Sequence, residues 1–253
     1  MAKRTSKKYM SMKEHVFKTF SLIFKNLKLF LPLIVVAVLI CLSLIDVSKD
    51  TMVVMGTIVF LFLWLLTLFF TRHLLAGRKV TFFDGLYNAM TPLIATLFIL
   101  VIVLIQCIPI FLLIIVYAAA IETNFLSEFG YIVLFLMFAM LMIVISGFLL
   151  SDTLVALMAV SAPGMYPWRA LKLVNGLMRG KRVGFVMRLL LMGIVLALVW
   201  AVVILPVALL ALAVKLPMML MPILVFVLGS FSIVYMAVYL YIYYRKMIGY
   251  DEK

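Results

Sequence analysis

Charge is scarce in this sequence. Asp and Glu together number 9 in 253 residues, His and Cys number 2 each, and charged residues make up 12% of the chain. Soluble globular domains carry about 25% charged and roughly 45–50% apolar residues, whereas the apolar share here is 68%. So little polar surface excludes both one large soluble domain and two small ones. The net charge of +13 does not point to nucleic acid either. A nucleic-acid site needs a polar face on which to lay the charge, and these charges fall between long apolar runs.

Chemistry-bearing residues are equally thin. Cys41 and Cys107 lie inside apolar runs, without a C-x-x-C pair or a disulfide framework, and read as packing residues. No H-E-x-x-H, G-x-S-x-G, P-loop or dinucleotide fingerprint occurs. His15 and His73 sit at the edges of apolar runs among basic residues and read as interfacial side chains. The 19 Met and 20 Phe have no His or Cys constellation beside them, which makes them packing residues. No cofactor, metal or enzymatic activity is expected. An enzyme would need carboxylates or histidines assembled across several helices.

Apolar runs are what the chain has in abundance. An α-helix needs about 20 mostly apolar residues to cross a bilayer. Stretches at 29–45, 53–71, 93–120, 131–158 (with a continuation to Val160), 189–214 and 216–244 qualify or come close. None alternates polar and apolar residues, so a β-barrel is excluded. The expectation is an all-α integral membrane protein with six transmembrane helices. The first stretch resembles the apolar part of a signal peptide, but Cys41-Leu42-Ser43 is a poor cleavage site, and it is read as a retained span.

Six spans place both termini and the regions near 72–91 and 161–188 on one side. That side holds 20 of the 22 Lys and Arg, leaving Lys49 and Lys215 opposite. The positive-inside rule makes it cytoplasmic. The organisation is then a basic amphipathic segment at 1–28, a six-span membrane domain at 29–244 and a short cytoplasmic tail at 245–253.

Helical periodicity precedes the first, third and fifth spans. In Met12–Phe30 the polar residues Glu14, Lys18, Ser21, Lys25 and Lys28 recur every three or four positions, opposite Val16, Phe17, Phe20, Ile23, Phe24 and Leu27. Asp84, Asn88 and Thr91 oppose Phe82, Phe83, Leu86, Tyr87 and Met90. Arg169, Lys172 and Arg179 oppose Trp168, Leu171, Val174 and Met178, with Pro167 suited to a first helical turn and Gly180 to a helix end. Such helices lie along a membrane interface or pack on span ends, or run into the next span through a bend at Pro32 or Pro92. The hydropathy thus repeats as three units, each an amphipathic helix and two spans.

The third unit carries Trp168-Arg169-Ala170-Leu171, followed by Asn175 and Gly180-Lys181 before a span. This pattern resembles the YciC-like family of bacterial membrane proteins and the related membrane domain of some glycerophosphodiester phosphodiesterases. The resemblance implies a membrane module of the bacterial cytoplasmic membrane and transfers no catalytic residue.

Two polar residues fall deep in the apolar stretches. Asp152 lies about 30 Å along its helix from Tyr131, at ~1.5 Å per residue, close to the cytoplasmic boundary. Pairing with a basic residue such as Arg188 or Arg72, or capping, is the expected role. Gln106, one turn before Pro109, is expected to satisfy a freed carbonyl or bond a neighbouring helix. Glu122, Glu128, Asp46 and Asp50 fall in external turns and read as solvated. Tyr235, Tyr239 and Tyr243 share a helix face, the last at the level of an aromatic belt.

The resulting expectation is a non-enzymatic membrane module: a scaffold, a partner subunit or a lipid-organising protein. Its partners would be anionic lipids of the cytoplasmic leaflet, met by Lys18, Lys25, Lys28, Arg169, Lys172, Arg179, Lys181 and Arg182, and not nucleic acid. A membrane-protein partner or a second copy of the chain is also open. The alternative is a small permease whose route is lined by Gln106 and Asp152.

Overall fold

A computed structural model describes residues 12–45, 47–123, 128–162, 164–214 and 220–249. Expectations for residues 1–11, Asp46, the start of the sixth span at 216–219 and the tail beyond residue 249 lie outside the described residues. Those described form helices and short turns, with no strand among them. In order the helices are α1 (Met12–Lys25), α2 (Leu27–Ser43), α3 (Lys49–Leu75), α4 (Phe82–Asn88) and α5 (Leu93–Gln106). They continue as α6 (Ile108–Glu122), α7 (Phe129–Val160), α8 (Pro167–Met178), α9 (Arg182–Val214) and α10 (Leu220–Ile248).

Among the described residues, α3, α7, α9 and α10 are each long and apolar enough to cross a membrane. The number rises to 6 if α1 with α2, and α4 with α5, each count as one bent span. Two boundaries differ from the sequence expectation, both for local reasons. The chain turns by 84° between α1 and α2, and the turn falls at Asn26, six positions before Pro32. Asn26 Nδ2 donates to the Leu22 carbonyl at 2.8 Å, the kind of side-chain bond that competes with helical hydrogen bonding. The stretch 93–120 is broken at Cys107 into α5 and α6. Pro109, in the first turn of α6, has no N–H to give and its ring crowds the carbonyl four residues earlier.

Backbone contacts divide the chain into two compact units, one of residues up to Met90 together with Leu190 onward, the other Thr91–Leu189. This grouping is not that of the hydropathy repeat. In the first unit α10, the last of the described helices, packs against α1, α2 and α3. Tyr235 and Tyr239 of α10 are fully buried, with the Phe20 ring of α1 centred 4.8 Å from Tyr235. From α3 come Leu66, Leu68, Phe70, Thr67 and Thr71, all at 0% exposure. Each threonine donates to the carbonyl one turn back, so α3 buries hydroxyls without leaving them unbonded. Helix α4 lies on α3, where Gly85 comes so close to the buried Phe70 ring that a Cβ there would overlap it.

In the second unit the C-terminal part of α7, from Ser151 to Val160, is covered by α5 and α8. Ala170, Val174 and Met178, each at 0% exposure, form the seam that α8 presents. Half of the buried residues on this part of α7 are small or hydroxylated (Ser151, Thr153, Ala156, Ala159). Small side chains allow helix axes to approach closely.

Candidate functional site

The polar groups of the second unit gather at the corner between α8 and α9. Pro167 opens α8 at a position where a missing N–H costs nothing. The helix stops at Met178, and the Lys181 N–H donates to the Met178 carbonyl at 2.9 Å. Arg179 has φ −58° and ψ 118°, and Gly180 has φ +77°. That is a type II turn, whose third residue needs positive φ and so favours glycine. Gly180 does end the helix, and the turn also sets Arg179 and Arg182 around one corner.

Arg182 opens α9 and is held from two sides. Its Nε donates to Asp152 Oδ1 at 3.1 Å and its Nη2 to Asp152 Oδ2 at 2.6 Å. Nη2 also donates to Asn175 Oδ1 at 3.0 Å. The fork-to-carboxylate geometry is the strong form of an ion pair. Asp152 is thus paired, as expected, but with Arg182 and not with Arg188 or Arg72. The reason is the turn, which carries the first residue of α9 to α7, while Arg188 lies almost two helical turns further on.

A cleft of about 550 Å³ opens at this corner, within the usual range of ligand pockets. Asn175, Arg179 and Arg182 are its polar lining residues, Phe148 and Val183 its apolar ones, and Gly176 and Gly180 complete the lining. The protein's acceptors here, the Asp152 carboxylate and Asn175 Oδ1, are engaged by Arg182. With Asn175 Oδ1 turned to Arg182, its amide Nδ2 remains as a donor. Arg179 is exposed and makes no ion pair among the described residues.

Gln106, the other polar candidate, accepts a hydrogen bond at 2.6 Å from Thr153 Oγ1 of α7. This is the interhelical role expected of it. Of the basic residues singled out for headgroup contact, Lys25, Lys28, Arg169, Lys172 and Arg179 are exposed, and Lys18, Lys181 and Arg182 are half-buried.

The short helices use less of their apolar faces than the periodicity implies. Helix α1 buries His15, Thr19 and Ile23, while Phe17 and Phe24 remain 74% and 59% exposed. On α4, Phe83 and Tyr87 are exposed, and on α8 Trp168 is 76% exposed although Val174 and Met178 are buried.

His15 overturns its sequence reading as an interfacial side chain. It is completely buried, its Nε2 bonded to the Tyr239 carbonyl at 3.0 Å and its ring edge-on to that of Tyr239. It ties α1 to α10. His73 stays local, its Nδ1 bonded to the Phe69 carbonyl. Tyr235, Tyr239 and Tyr243 do share one face, and that face is core: all three are buried.

Sequence reasoning named these residues but missed how they pair. Nothing in the spacing joins Asp152 to Arg182, 30 residues apart, or His15 to Tyr239, 224 apart. The α4 cap was legible: Thr81-x-x-Asp84 is a capping-box pattern, and Thr81 N–H does donate to Asp84 Oδ2 while Asp84 N–H donates to Thr81 Oγ1. These bonds hold the Asp84 carboxyl below its ordinary pKa, the Thr81 hydroxyl contributing most. No group of three or more His, Cys, Asp and Glu among the described residues is placed to hold a metal ion. Comparison with protein-family models, with curated proteins and with solved structures found no match.

Proposed function

We propose that this chain is a multi-pass integral membrane protein without enzymatic activity, a module that holds anionic lipid along a basic cytoplasmic face. The observation that carries this reading is the uncovered apolar edge of the short helices. Phe17 and Phe24 flank Lys18 and Lys25 on α1, and Trp168 adjoins Arg169 on α8, with the aromatic rings exposed. An exposed aromatic beside a basic side chain is stable where hydrocarbon meets headgroup. Basic residues near such a surface attract anionic lipid by about 1 kcal/mol each. The charge asymmetry, with 20 of the 22 Lys and Arg on one side, supports cytoplasmic termini.

Gln106 and Asp152 are held by Thr153 and Arg182, which favours a structural role for both over a permeation route. The test is reconstitution of the full chain in bilayers of mixed phosphatidylglycerol and phosphatidylcholine. Enrichment of phosphatidylglycerol around the protein is expected, reduced by Lys18→Gln, Lys25→Gln and Lys28→Gln together. Equal contact with both lipids would overturn the reading. A C-terminal reporter active only outside the cytoplasm would overturn the orientation.

A further inference from the structure

We propose that the cleft at the α8–α9 corner is a discrete site for one phosphate ester, with Arg179 as the group that binds the anion. Its assignment to a lipid phosphate rests on the membrane reading above; binding of a phosphate as such does not.

The chemistry of the lining selects the ligand. Asp152 and Asn175 Oδ1 are both engaged by Arg182, so what faces the cleft is a set of donors: the Arg179 guanidinium, the Asn175 amide N–H groups and the remaining N–H groups of Arg182. A site built of donors takes an acceptor-only ligand. The charges give its sign and size. Asp152 offsets Arg182, leaving the single positive charge of Arg179, which matches the single negative charge of a phosphodiester.

Geometry favours phosphate over carboxylate. Guanidinium groups bind both by paired N–H donors, but here two guanidiniums and an amide converge from different helical turns on one cleft. A phosphodiester offers two charged oxygens and two ester oxygens in a tetrahedral arrangement that can meet donors from different directions, whereas a carboxylate offers its two in one plane. Gly180, at φ +77°, adds no side chain to the lining. Phe148 and Val183, 41% and 63% exposed, provide an apolar wall along which an acyl or glyceryl group can leave. A cleft of about 550 Å³ exceeds what a bare phosphate fills, which points to a headgroup.

The ion pair has a second consequence. Asp152 is a positioning residue: it fixes Arg182 from α7, and Arg182 in turn fixes Asn175 with its amide N–H groups outward. Removal of the carboxylate would loosen both.

The test is native mass spectrometry of the full chain in mild detergent, titrated with phosphatidylglycerol, with diacylglycerol and oleate as the phosphate-free and carboxylate controls. The expected result is one tightly held phosphatidylglycerol followed by weaker adducts. Arg179→Gln should weaken the first adduct about tenfold, equivalent to about 1.4 kcal/mol, and Arg179→Lys by less. Lys18→Gln, Lys25→Gln and Lys28→Gln together should spare the first adduct and reduce the later ones. Arg179 is exposed at a turn position whose φ suits any residue, and equal thermal unfolding of Arg179→Gln and the parent verifies the fold.

Inorganic phosphate and glycerol 3-phosphate separate the sources. Their displacement of the first adduct at comparable concentration would assign the site to a free phosphate, and their failure to displace it to a lipid. A first adduct unchanged by Arg179→Gln, or one displaced equally by oleate, overturns the site. Loss of the later adducts' preference for anionic lipid, with the first intact, overturns the lipid-face reading and leaves the site standing.

Discussion

Helices α10 and α7 are both long apolar segments, yet they are used in opposite ways. Of the most apolar window of α10, 44% is buried, and of α3, 50%; for α7 and α9 the share is 6%. Mean hydropathy is lower in the two covered helices than in α7 and α9, and buried hydroxyls accompany the difference. The covered parts of α3 and α10 carry Thr67, Thr71, Ser230, Ala237 and buried tyrosines beside large aliphatic residues such as Leu63, Leu66 and Leu68. The uncovered N-terminal part of α7 is a run of Ile, Val, Leu, Met and Phe, with Leu134, Leu136, Met137, Met140 and Leu141 all more than half exposed. Further along α7, where Ser151, Thr153, Ala156 and Ala159 appear, burial begins. In a lipid solvent large aliphatic side chains gain little by turning inward, whereas small and hydroxylated ones let helices approach and bond.

The sharpest test of that comparison is truncation. Tyr239→Ala should destabilise the chain by about 3 kcal/mol, the cost of removing a buried aromatic, read as a shifted midpoint in detergent-mixture unfolding. Leu136→Ala on the exposed side of α7 should stay within about 0.5 kcal/mol. Similar losses at the two positions would erase the distinction. Overpacking is the converse test: Ala159→Leu, at a site with 0% exposure, should cost about 1–3 kcal/mol, and Val144→Leu on the exposed face close to nothing.

A smaller effect is expected at the ion pair of the second unit. The side chains of Arg182 and Asp152 are 40% and 22% exposed, so Asp152→Asn should cost about 1 kcal/mol, nearer a surface pair than a buried one. A double-mutant cycle with Arg182→Gln isolates the coupling, and a coupling of zero would mean that the pair does not pin α9 to α7. The smallest effect is on α4. Its capping box favours the ionised Asp84, whose folded pKa is depressed by the bonds to Thr81. Its contribution is therefore complete above the unfolded carboxylate value of about 3.9 and fades as pH falls through the lower folded value. Hydrogen exchange in α4 should quicken over that acid window, and Thr81→Ala should abolish the pH dependence.

The helices were legible in the sequence because length and hydropathy state them directly, and the break at Cys107 had its signal in Pro109. The partition of the helices was not. Periodicity marks an apolar arc on α1 but not which edge of it meets α10, so Phe17 and Ile23 read alike although one is exposed and the other buried. Within the candidate site, Arg179, Arg182 and Asp152 were visible as unusual residues, and Gly180 as a helix stop. Their assembly depends on a turn and on a partner 30 residues away, which no local pattern encodes.

The division of the first unit across the chain bears on its assembly during synthesis. Helices α1, α2 and α3 are made before residue 90, but α10, which covers their shared face, starts at Leu220. Until then His15 lacks the α10 carbonyl to which it is finally bonded. Sequence-distant contacts close slowly because the chain between them must be ordered first. The nascent chain therefore passes through a stage in which the second unit's helices exist while the first waits, open on one side, for the last helix to arrive.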